Sequence, residues 1–252
     1  MAVDEAIFEG VQRGGQPALR LYSWEPACLS LGYAQPFGDV DLDALNQRGW
    51  QVVRRVTGGR AILHGDELTY SVMAPDGEPR VAGDLLASYR RISGALLLAV
   101  NKLQVAAEAK NAEKADSPRE QPVCFEAPSS YEILAGGKKL IGSAQARRKG
   151  GVLQHGTLPL FGDLKRIVEV LHFRDRAERQ QAGERLMAQA TTVEDATGRR
   201  VSWESAAQAF VDAFQEQLHI QFVEGGLSEG ELERVGELVR TKYSQEAWTK
   251  RN

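Results

Sequence analysis

The sequence predicts an α+β fold. Strand-like alternation is concentrated in two stretches, residues 18–73 and 131–160, while helical spacing gathers after Phe161. A sheet-rich body followed by late helices argues against a doubly wound sheet, where strands and helices would alternate throughout. The length of 252 residues suffices for a full core, and 42% hydrophobic with 26% charged residues is ordinary for a globular chain.

Taken in order, residues 2–12 carry Val3, Ala6, Ile7 and Val11 at helical spacing. Strand-like runs follow at Ala18–Trp24 and Ala27–Tyr33, interrupted by Glu25-Pro26, and Asp41–Gln47 reads as a short helix. Trp50–Val56 and Glu67–Met73 read as strands joined through Thr57-Gly58-Gly59 and the short apolar piece Ala61–Leu63. From Asp84, a plausible N-cap, a longer helix carries Leu85, Tyr89, Ile92, Leu96, Ala99 and Leu103 on one face. Residues 105–121, charged and poor in large apolar side chains, are expected to form a mobile loop. Tyr131–Leu134, Leu140–Arg147 and Val152–Leu160 alternate as an antiparallel meander, with turns at Gly136-Gly137 and Gly150-Gly151. Helices are expected at 163–171, 176–189, 203–217 and 228–243, with a polar connection, TTVEDATGRRVS, before the third.

Composition narrows the function classes. A formal net charge of −3, from 31 basic and 34 acidic side chains, offers no electrostatic case for nucleic acid. No window approaches the roughly 18 apolar residues of a membrane span, and no secretory leader opens the sequence. Two cysteines far apart, Cys28 and Cys124, fit reduced thiols in a cytoplasmic protein.

Two stretches carry chemistry. In RRVTGGRAILH, Gly58 and Gly59 allow a tight turn and close approach by a ligand, while Arg54, Arg55 and Arg60 could meet a phosphate or carboxylate. The same run also fits a hairpin with solvated arginines. It is not a P-loop, no GxGxxG fingerprint exists, and His64, His155, His172 and His219 lack metal-ligand spacing. His64 and His155 adjoin the glycine motifs, whereas His172 and His219 are expected as partly exposed helix residues. In the second stretch Cys124 re-enters the fold after the charged segment, as CFEAP, so it is either a small buried hydrophobe or an accessible loop thiol. Cys28, within ACLSLGY, is expected to be buried and inert. Lys138 and Lys139 must point to opposite sides of a strand, so one is expected inside; Lys139 is followed by Leu140-Ile141. A lysine beside a cysteine favours thiolate, the form that attacks thioesters.

RRVTGGRAILHGDELTYSV, CFEAPSSYEI, GKKLIGSAQ and QHGTLPL, in that order, resemble the biotin/lipoate protein ligase superfamily, and most closely its LipM-type octanoyltransferase branch. The likeness runs from Ala2-Val3-Asp4-Glu5-Ala6 to Thr241-Lys242-Tyr243 and Trp248. It implies a catalytic domain over residues 1–200, a mixed, largely antiparallel sheet flanked by helices, with 201–252 a helical extension of the same domain. Members usually begin with a strand ahead of the first helix. The resemblance therefore predicts either a start assigned too late or a sheet edge left unpaired.

The resemblance also implies a reaction. Cys124 takes octanoate from octanoyl-acyl carrier protein as a thioester, and a lysine of a lipoyl domain then receives it as an amide. Such acceptors include the glycine-cleavage H protein and dehydrogenase E2 subunits. Lys139 would hold the acyl carbonyl and assist the thiolate. Arg55, Gly58, Gly59, Arg60, His64, Gly142, Ser143, Ala144, His155 and Gly156 would line the acyl site, with no metal or nucleotide cofactor and the protein a monomer. Arg60, where ligases carry a third glycine, favours the transferase branch. Arg147, Arg148 and Lys149 are either a docking rim for an acidic carrier or a solvated turn. Three alternatives remain: an ATP-dependent lipoate ligase, an amidotransferase between proteins, and a silent carrier-binding module.

Overall fold

The computed structural model describes residues 1–110 and 132–251. Helix α1 (Ala2–Gln12) leads into β1 (Ala18–Tyr22), β2 (Cys28–Leu31), α2 (Leu42–Gln47), β3 (Gln51–Arg54), β4 (Ile62–His64) and β5 (Glu67–Pro75). Then come α3 (Leu85–Lys102), β6 (Ala107–Lys110), β7 (Glu132–Ala135), β8 (Lys138–Arg148) and β9 (Gly151–Pro159). The helices α4 (Arg176–Gln189), α5 (Val193–Thr197), α6 (Trp203–Leu218), α7 (Glu229–Leu238) and α8 (Glu246–Thr249) complete the fold. The class is α+β, as the sequence predicts.

A six-stranded antiparallel sheet, ordered β1-β5-β9-β8-β7-β6, forms the body. Beside it stands a three-stranded sheet, β3-β2-β4, in which β2 runs parallel to β3 and antiparallel to β4. The apolar piece expected merely to link two strands is therefore the edge of a second sheet. Its inner positions, Leu29, Leu31 and Ile62, pack with Ile167 and Val170 of a 3₁₀ segment (Leu164–Val170) and with Leu186 of α4. Sequence reading placed an α-helix over 163–171; that segment winds more tightly.

One face of the large sheet is closed by α3 and α6. Tyr70, Leu140, Ile141, Val152 and Leu158 meet Ile92, Leu96, Phe210 and Phe214 there in one buried cluster. Burial of such side chains stabilises each by about 1.5–3 kcal/mol relative to exposure. Asp84 caps α3 by accepting from the Ala87 amide at 2.7 Å. The packed stripe begins one turn later than expected, at Ser88 and Tyr89, and Leu85 is 48% exposed. On the opposite face, Phe8 and Val11 of α1 cover Met73 and Leu153, and α7, started by a capping box at Ser228 and Glu231, packs on α1. The helix expected over 228–243 passes into a π-helical turn at Val239–Tyr243.

Two further expectations are corrected. Residues 107–110, assigned to a charged loop, form edge strand β6 against β7, with Ala107 and Ala109 half-buried and Glu108 and Lys110 exposed. Alternation of alanine with charge suits an edge strand, which has one covered face and one side open to water. The connection at 191–202 contains helix α5, capped by Thr192 and anchored by buried Val193. The remainder of the expected loop (111–121), Tyr131, Cys124 and its CFEAP setting lie outside the described residues. Among the described residues no helix is long and apolar enough to cross a membrane.

Candidate functional site

Between the two sheets lies a cavity whose empty space, part of it open solvent, amounts to about 420 Å³. Arg55, Gly59 and His64 line one wall, and Gly142, Ser143, Ala144, His155 and Gly156 the other. Eight of the sequence-predicted site residues, separated by up to a hundred positions, are thus brought together. Gly58 and Arg60 are not among the lining residues; their carbonyls accept from Arg55 Nη2 at 3.1 and 2.9 Å. A neighbouring cavity around Asp66, Asp163 and Arg166 holds none of the predicted residues.

Close backbone approach makes this space. A Cβ on Gly32 would sit 1.8 Å from the Gly59 carbonyl oxygen, and Gly59 itself has φ of +98°. Only glycine at both positions lets the β3–β4 loop lie against the strand end. On the other wall Gly156 also crosses Gly142 closely, a Cβ there meeting the Gly142 oxygen at 2.4 Å.

Behind the first wall runs a chain of buried hydrogen bonds. Arg55 Nη1 donates to the Ser30 hydroxyl at 2.7 Å, which meets His64 Nε2 at 2.6 Å; His64 Nδ1 meets Glu67 Oε1 at 2.5 Å. The Glu67 carboxylate can only accept, so His64 Nδ1 is the donor to it. Thr69 also donates to Glu67, at 2.6 Å, and the Trp24 indole N–H reaches Thr69 at 2.9 Å while its ring stacks on His64. Burial alone would raise the Glu67 pKa, but His64 beside it and these hydrogen bonds hold it below its ordinary value. His155, bonded to the Thr57 hydroxyl at 2.6 Å, is pushed down to about 3 by burial and by the Arg55 guanidinium. Both histidines are thus fixed parts of the wall. Ser30, Glu67, Thr69 and Trp24 escaped sequence analysis, since no local signal shows which histidine they would meet.

Neither arginine of the RR pair is solvated. Arg54 is wholly buried, donating to the carbonyls of Gly32, Tyr33, Gln35, Thr249 and Arg251. Arg55 lines the cavity, yet its hydrogen bonds hold Ser30 and the glycine loop. In the basic turn, Arg147 binds the carbonyls of Val81, Gly83 and Asp84, and Arg148 that of Val56. Arg148 and Lys149, the latter with φ of +47° in the turn, remain exposed. His172 is exposed in a connection rather than a helix, and His219 ends α6 in a left-handed conformation. Cys28 is buried, its thiol pushed up to about 12 by burial.

Lys139 is the inward lysine, 4% exposed, while Lys138 reaches back to the Met187 carbonyl at 2.7 Å. A bulge decides its direction. Leu134 pairs with Lys139 but Ile133 with Ile141, so Leu140 is the extra residue. Leu140 and Ile141 both enter the α3/α6 core, and Lys139 falls on the opposite face, the one carrying Gly142 and Ala144. Lys139 does not itself line the cavity; it pairs with Glu132 at 2.9 Å.

The sequence profile of the lipoyl protein ligase A/B catalytic domain matches residues 1–215. A protein from Moorella thermoacetica described as octanoyltransferase LipM is 42% identical, over 100% of this chain and 93% of its own length. A protein of the same description from Brevibacillus brevis is 37% identical, over 100% and 94%. Among solved structures, a bi-partite lipoate protein ligase from Thermoplasma acidophilum, studied with its E2 lipoyl domain, is similar with a TM-score of 0.82. It is 29% identical, over 99% of this chain and 89% of that one.

Proposed function

The chain belongs to the lipoyl protein ligase A/B catalytic-domain family, and we propose that it is an octanoyltransferase of lipoate biosynthesis. In this reading it moves octanoate from octanoyl-acyl carrier protein to a lysine of a lipoyl-domain protein through a thioester on Cys124. The Cys124 thiolate attacks the donor thioester carbonyl, a new C–S bond forms, and the carrier thiolate leaves and takes up a proton. The acceptor lysine, as free amine, then attacks the acyl-enzyme. A C–N bond forms, the C–S bond to Cys124 breaks, and the amine proton passes to the departing thiolate. The first exchange is nearly isoenergetic and amide formation draws the second forward. Neither step calls for a metal or a nucleotide.

The geometric observation that carries this reading is the inward lysine. A buried lysine on the face of β8 that also carries Gly142 and Ala144 supports a role for Lys139 in holding the acyl carbonyl. The relatives described as octanoyltransferases over the full chain support the choice of acyl group. The likeness to a lipoate protein ligase favours a second reading, ATP-dependent activation of a free acid.

Intact-protein mass spectrometry after mixing with octanoyl-acyl carrier protein, without ATP, separates the two. The transferase gains one octanoyl group, lost in Cys124→Ala and passed on when a lipoyl domain is added. No gain without ATP, but acyl transfer with ATP and free lipoate in the Cys124→Ala variant, would establish the ligase instead.

A further inference from the structure

We propose that Glu132 is a positioning residue for Lys139, an inference that rests on the role just given to that lysine. Glu132 Oε1 lies 2.9 Å from Lys139 Nζ, with side-chain exposures of 14% and 4%. Lysine has a long flexible stem, so a buried ammonium points usefully only when something selects one of its rotamers. The fold supplies that selection from several sides. On β7, Glu132 and Leu134 share a face, and Lys139 lies directly across from Leu134, so Glu132 is its diagonal neighbour. The bulge at Leu140 is what turns Lys139 onto the carboxylate's face; an unbroken register would send it into the α3/α6 core. The backbone is pinned too, since the Thr191 amide donates to the Lys139 carbonyl at 3.0 Å. On the far side Lys110 of β6 stands in register with Glu132 but is exposed. Glu132 does not touch the acyl group in this account. It aims the ammonium that does.

The test compares Glu132→Gln, Glu132→Asp and Lys139→Ala for the rate of octanoyl-enzyme formation, with thermal unfolding measured on each. Glutamine keeps the shape and loses the charge; aspartate keeps the charge on a shorter stem. The expected result for Glu132→Gln is a maximal rate about ten- to a hundredfold lower, the cost of a misaimed group. The half-saturating donor concentration should change less than about twofold, as for an interaction made in the transition state alone. Glu132→Asp should recover most of the rate. An unchanged maximal rate in Glu132→Gln, with Lys139→Ala inactive, would overturn the proposal and leave the function of Lys139 standing. Full activity in Lys139→Ala would remove both. Loss of rate tracking loss of folded protein, with aspartate no better than glutamine, would also overturn it.

Discussion

Arg54 grips the carbonyl of Thr249 through both Nε, at 3.1 Å, and Nη2, at 2.9 Å. This joins β3 to α8 across 195 residues of sequence. The Trp248 indole closes the loop by donating to the Arg54 carbonyl at 3.0 Å. Because β3 runs straight into the Gly58-Gly59 turn, the C-terminal helix braces one wall of the cavity. Arg54→Ala would leave several buried carbonyls without a donor, costing at least about 3 kcal/mol. For a chain of this size that is about 6–12 °C in Tm. Arg54→Lys should rescue little, because an ammonium cannot reproduce the planar fork that serves carbonyls on two sides. Calorimetry of the two variants decides it: a fall below about 2 °C would mean the brace contributes under one kcal/mol.

Gly156 and Gly58 make a matched pair for testing close approach. An alanine Cβ at Gly156 would meet the Gly142 oxygen at 2.4 Å, Tyr70 Cε1 at 2.7 Å and Ser143 Oγ at 2.9 Å, whereas at Gly58 it would meet nothing within 4 Å. Gly156→Ala must part β8 from β9 just where they line the cavity, for about 1–3 kcal/mol as overpacking does. Gly58→Ala should stay within about 0.5 kcal/mol of the parent. Octanoyl loading should collapse in the first and persist in the second. Equal loading by both would show that the crossing of β8 and β9 does not shape the site.

Most of this arrangement was legible in the sequence because its signals are local. Periodicity marked α1, α3 and α6, glycines marked the turns of the β7–β9 meander, and the family resemblance carried by the motifs implied one site for Arg55, His64, Gly142 and His155. What escaped depends on contacts far apart in the chain. Arg54 and Arg55 look alike side by side, yet only the fold gives one to α8 and the other to Ser30. Arg147 looks like a surface charge until the start of α3 is seen to offer it carbonyls. The bulge at Leu140 leaves no mark in strand alternation, so the partner of Lys139 could not be named. Strand β6 was missed because alanine and charge, without a β-branched residue, read as loop; its pairing with β7 overrides that weak propensity.

His155 gives the protein a dependence on pH whose sign can be worked out. Its pKa is pushed down to about 3 in the folded state, by burial and then by Arg55, against about 6.5 in an unfolded chain. Between those values the unfolded chain binds a proton that the native state lacks, so acidification favours unfolding. The term vanishes above about pH 6.5 and reaches at most about 1.4 kcal/mol per pH unit below it. Asp4 and Glu67 behave differently: their folded pKa values lie below the ordinary ones, so their contribution is present above about pH 4 and is lost only on further acidification. The interval from pH 6.5 to about 4.5 therefore isolates the histidine from both carboxylates. Urea unfolding at the two ends should show the parent losing on the order of 2 kcal/mol more than His155→Gln, whose amide can still meet the Thr57 hydroxyl but cannot titrate. Equal losses in parent and variant would mean that His155 is not the group that takes up the proton on unfolding.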